Sequence, residues 1–173
     1  MSECETTQQG CRLATSVGGV LTGRGADTII IDDPLKPEEA LSQTQRQAVN
    51  EWCDHTVYSR LNDKQNGAIV LIMHRLTEDD LVGHVLAQED WEVVRFPAIA
   101  EEDAVETVWG PRLFTRRRND ALHPERKPTA MLEQILRTIG EYNFSGQYQQ
   151  APSPSGGARQ GGMVQALLAG GIA

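Results

Sequence analysis

Two adjacent carboxylates, Asp32 and Asp33, close a run of mostly β-branched residues (Thr28-Ile29-Ile30-Ile31) and are followed at once by Pro34. An acid pair at the end of an apolar strand suits phosphoryl chemistry. One carboxylate can hold a hydrated Mg2+ between the β- and γ-phosphates of a nucleotide, and its neighbour can orient or deprotonate the attacking water. The same residues also suit a plain strand-to-loop corner, because Asp favours turns. His74 and Arg75 follow a second apolar run, Ala68-Ile69-Val70-Leu71-Ile72-Met73, where a polar side chain can sense a γ-phosphate or simply end a strand. Arg24 lies in a glycine-rich stretch just ahead of the acidic strand. A guanidinium there can reach a nucleotide in a neighbouring subunit and stabilise charge on the phosphoryl group in transfer. The simpler role for Arg24 is a salt bridge to Asp27 or another surface acid.

Other patterns narrow the chemistry. Gly18 and Gly23 have the GxxxxG spacing of a phosphate loop, but Arg24-Gly25 stands where Lys-Ser/Thr belongs, and the segment leads into a strand rather than a helix. No GxxxxGK[ST] occurs elsewhere in the chain. Cys4, Cys11 and Cys53 form no CxxC pair, and none of the four histidines stands near them at a zinc-ligand spacing. They read as reduced thiols, with Cys53 in helix packing. His55, His84 and His123 show no partner spacing.

The elements that must position these residues follow from the hydrophobic pattern. Short, continuously apolar runs at 28–31 and 68–73 predict strands buried on both faces, as in a parallel sheet. Pro37-Glu38-Glu39 predicts a helix start, with the helix running to about Leu61 through the stripe Val49, Trp52, Cys53 and Thr56. Thr77 is placed to cap a helix carrying Leu81, Val82, Val85 and Leu86, and Trp91 to Phe96 predicts a third strand. Cys11 to Ala14 predicts a short strand, and the first ten residues predict a frayed end. Strand, helix, strand, helix, strand is an α/β layered arrangement. It sets Asp32-Asp33 and His74-Arg75 at the carboxyl edge of the sheet, where ligands bind in such folds. Beyond Ala98, residues 101–105 are acidic and loop-like, Thr107 to Thr115 is extended, and Pro128 to Ile139 is an amphipathic helix. Ala151 to Gly162 is a Pro/Ser/Gly linker.

With 173 residues, 39% hydrophobic and 23% charged, the chain has the composition of a globular domain. No apolar stretch approaches membrane-spanning length, and the polar, acidic start resembles no secretory signal, which makes the cytoplasm the expected compartment. A net charge of −8 argues against a surface coated in phosphate-binding groups, yet Arg112, Arg116, Arg117, Arg118, Arg126 and Lys127 cluster against only Asp120 and Glu125.

Five blocks, TGRGADTIIIDDP, NEWCDHTVYSRLNDKQNGAIVLIMHRLTEDDLVGHVL, FPAIAEED, ALHPER and TIGEYNFSGQYQQAPSP, together resemble the large terminase subunit of tailed phages and prophages. The resemblance runs from about Leu13 to Pro154. It implies part of an ASCE-type P-loop ATPase core, a parallel sheet with flanking helices, joined by a linker toward an RNase H-like nuclease domain. It also implies a Walker B strand at Ile29–Asp33, with Asp32 the magnesium-associated acid and Asp33 the catalytic carboxylate. Arg24 then stands where the family places a candidate trans-acting arginine finger, and Ile72-Met73-His74-Arg75 corresponds to the motif coupling hydrolysis to movement, with His74 where the family usually has glutamine.

The cofactors so implied are Mg2+ and ATP. The implied partners are double-stranded DNA, the terminase small subunit and the portal protein, in the cytoplasm of a bacterial host. The expected organisation is a disordered start (1–10), the C-terminal half of an ATPase domain (11–100), an extension with the connecting helix (101–150), and a linker with a truncated tail (151–173). Neither a Walker A loop nor, after Pro154, any Asp or Glu is present, so the expectation is a chain inactive alone as ATPase or nuclease. Two rivals stand beside it. One is a non-catalytic module that binds DNA or protein through the basic cluster. The other is a receiver-like phospho-acceptor using Asp32 or Asp33, disfavoured because no Lys ends a following strand.

Overall fold

The computed structural model describes residues 2–153 and 167–168. They form two compact units. One holds residues 2–73 and 79–92 with 167–168, and the other holds 74–78 and 93–153. The linker and tail expected from 151 onward lie mostly outside the described residues.

The first unit opens with an antiparallel hairpin, β1 (Ser2–Glu5) and β2 (Cys11–Ala14), paired from Ser2 opposite Ala14 to Glu5 opposite Cys11. The strand at 11–14 is the expected one, but residues 2–5 are not frayed. The turn between them closes with Thr6 and Gly10, whose N–H groups donate to Gly10 O and to Thr6 Oγ1 at 2.8 and 3.0 Å. Polar composition alone does not reveal such backbone pairing.

Next come β3 (Thr28–Asp32) and β4 (Ala68–Ile72), paired in parallel from Thr28 opposite Ala68 to Asp32 opposite Ile72. Ile31, Ile69 and Leu71 are buried, while Ile30 and Ile72 are 65% and 52% exposed. The expectation of strands buried on both faces is therefore met on one face only. Because side chains alternate along a strand, a two-stranded ladder covered on one side leaves every second apolar residue in solvent.

Helix α1 (Gln43–Trp52) connects these strands. It starts six residues later than Pro37 would suggest. The Ser42 hydroxyl accepts from the Gln45 N–H, and residues 36–42 are spent in turns through Lys36 O and Glu39 O. Arg46, buried in α1, donates to Ala40 O at 2.6 Å and to Asp79 at 2.8 Å, which fixes that turn in place. The helix gives way after Trp52 to a wider turn (Cys53–Val57) and a tighter one (Tyr58–Arg60). Helix α2 (Leu81–Leu86) is capped by Asp80, whose carboxylate accepts from the Gly83 N–H at 3.0 Å. Thr77, the cap expected from sequence, is instead buried with its hydroxyl unpartnered among the described residues. The strand expected at Trp91–Phe96 shrinks to β5 (Glu92–Val93).

The second unit contains the antiparallel hairpin β6 (Ala104–Trp109) and β7 (Arg112–Arg116), turning at Gly110 with φ 54°. A bridge joins Ile99 to Ala121. Helix α3 (Thr129–Gln147) breaks at Gly140, φ 80°, a backbone angle open to glycine at little cost. Its first half carries the expected amphipathic stripe: Leu132 is buried with Ala121 and Phe144, and Ile135, Leu136 and Ile139 pack around them. Two polar side chains stitch this unit together. Arg116 donates to Pro97 O (2.8 Å), Ala98 O (3.4 Å) and Asp120 O (2.8 Å). Gln149 accepts from the Ile99 N–H and returns a hydrogen bond to Ile99 O.

Candidate functional site

Asp32 ends β3 opposite Ile72, with its side chain exposed. Asp33 extends the pairing by one step, its N–H donating to Ile72 O at 2.9 Å, and takes φ 40°. That is the left-handed region, unusual for a residue with a Cβ, tolerated by Asp and Asn, and frequent where a side chain must be aimed. The strand supplies the extended approach, and the turn into Pro34 supplies the change of direction. Together they present two successive carboxylates at the carboxyl end of a parallel pair.

His74 and Arg75 follow β4 after Met73 and belong to the second unit. His74 is exposed, whereas Arg75 is 6% exposed and donates to Glu78 O at 3.5 Å. Arg24 makes the simpler of its two expected contacts, a salt bridge to a surface acid, but the acid is Glu3 rather than Asp27, gripped at 2.6 and 3.1 Å.

A hydrated magnesium ion needs only one or two protein carboxylates, because it keeps most of its water. Asp32, exposed at the strand end, fits that requirement. A triphosphate needs more, namely a run of convergent N–H groups, commonly at a helix N-terminus. Residues 18–25 do not supply it. The N–H groups of Gly19 and Arg24 turn back onto Ser16 O and Leu21 O, and the segment enters the Ala26–Leu61 bridge and then β3, not a helix. Among the described residues no group of three or more His, Cys, Asp or Glu is arranged around a common metal position.

The basic cluster loses a member to the fold. Arg116 is 7% exposed, and burial pushes its pKa down while Asp120 raises it. Arg112, Arg117, Arg118, Arg126 and Lys127 remain exposed. Lys127 sits 5.0 Å from the centre of the Tyr148 ring.

One polar constellation escaped the sequence reading. The His84 Nε2 lies 3.0 and 2.9 Å from the two Asp54 carboxylate oxygens, with the Gln88 amide 2.9 Å from the same nitrogen. His84 and Gln88 stand four apart, a helical spacing, but Asp54 is thirty residues away and no sequence signal links it to them. The group ties the turn after α1 to α2.

Among the described residues, no helix is long and apolar enough to cross a membrane. Neither a family model, nor a curated protein, nor a solved structure matches the chain.

Proposed function

We propose that the chain is a terminase large-subunit segment carrying the Walker B acids and the coupling motif of the DNA-packaging ATPase. The observation that supports this reading most is the parallel, in-register pairing of β3 with β4, which brings Asp32 and Asp33 to the carboxyl edge of the pair. In this reading Asp32 associates with Mg2+, Asp33 is the catalytic carboxylate, His74 belongs to the coupling motif, and Arg24 is a finger for a neighbouring subunit once released from Glu3. The partners are double-stranded DNA, the small subunit and the portal, in the cytoplasm of a bacterial host. Residues 18–25 do not form a triphosphate cradle, so nucleotide turnover by this chain requires a phosphate loop supplied from another segment or chain.

A second reading, a non-catalytic module that binds DNA or protein, draws support from the five exposed cations between Arg112 and Lys127.

Calorimetric titration of Mg-ATP into the purified chain, with Asp32→Ala as the control, tests the first reading. No binding is expected from the chain alone, and ATP hydrolysis no faster than in Asp33→Asn. Micromolar binding lost in Asp32→Ala would show that the chain holds an unrecognised phosphate loop, with residues 18–25 the first segment to test. Restoration of Asp33-dependent hydrolysis by an added phosphate-loop segment would establish the ATPase role. Salt-sensitive duplex DNA binding without any nucleotide response would favour the second reading.

A further inference from the structure

We draw no further inference here: the strongest candidate, the outward face of the β3–β4 pair on which Ile30 and Ile72 stand exposed, is an apolar sheet face, and nothing among the described residues shows what covers it.

Discussion

Arg24 Nη1 donates to Glu3 Oε1 at 2.6 Å while its Nη2 donates to Oε2 at 3.1 Å, so the loop ahead of β3 is tied to the first strand of the N-terminal hairpin. The two side chains are 49% and 34% exposed. Water screens such a pair, and its expected contribution is about 0.5 kcal/mol. Glu3→Gln should therefore lower unfolding free energy in urea by less than about 1 kcal/mol, with the difference shrinking at high salt. A loss of several kcal/mol would mean that the hairpin is held far more tightly than its exposure implies.

Asp33 tests the backbone at the acid pair. Asn tolerates φ 40° as Asp does, whereas a β-branched residue does not. Asp33→Val is expected to be about 2 kcal/mol less stable than Asp33→Asn. Paired thermal melts of the two variants give the comparison, and equal stabilities would argue that the left-handed turn is not maintained in solution.

The start of α2 separates two threonine and aspartate roles. Asp80 caps the helix through the Gly83 N–H, so Asp80→Ala should cost about 1–2 kcal/mol. Thr77, buried with an unpartnered hydroxyl, should accept Val without loss, because the substitution keeps the shape and removes the polar atom. Chemical denaturation of both variants decides the matter: a Thr77→Val cost as large as that of Asp80→Ala would return the cap to Thr77.

Cys53 is 8% exposed, and desolvation, with the Asp54 charge adding to it, raises its thiol to about 11. Its folded pKa lies above the reference value of 9.0, so the folded state holds this proton more tightly than the unfolded one. The associated stability is complete below about pH 9 and is lost as pH rises from there through about 11. Thiol-reagent kinetics offer a direct check. Exposed Cys4 and Cys11 should react in the native state, and Cys53 only on unfolding. Cys11 is slowed by partial desolvation and then by the neighbouring Glu3, which raise its pKa.

Much of the element order was legible in the sequence because it depends on local pattern. The apolar runs at 28–31 and 68–73, the stripe from Leu132 to Ile139, and the strand at 11–14 all reflect periodicities that hydrophobic burial imposes. Helix limits were less legible. Pro37 offered a start, yet the buried Arg46 and its bond to Ala40 O moved the start to Gln43, a choice that depends on residues distant in sequence such as Asp79.

The candidate site divides in the same way. The sequence by itself determined that Asp32 and Asp33 end an apolar strand, that no GxxxxGK[ST] is present and that six cations cluster between Arg112 and Lys127. Only the tertiary structure decided that Arg24 meets Glu3, that Arg116 is spent on backbone carbonyls, and that Asp54 finds His84. The reason is physical. Hydrophobic periodicity acts between neighbours along the chain, whereas hydrogen bonds and ion pairs act over a few ångströms between residues that folding brings together from tens of positions apart.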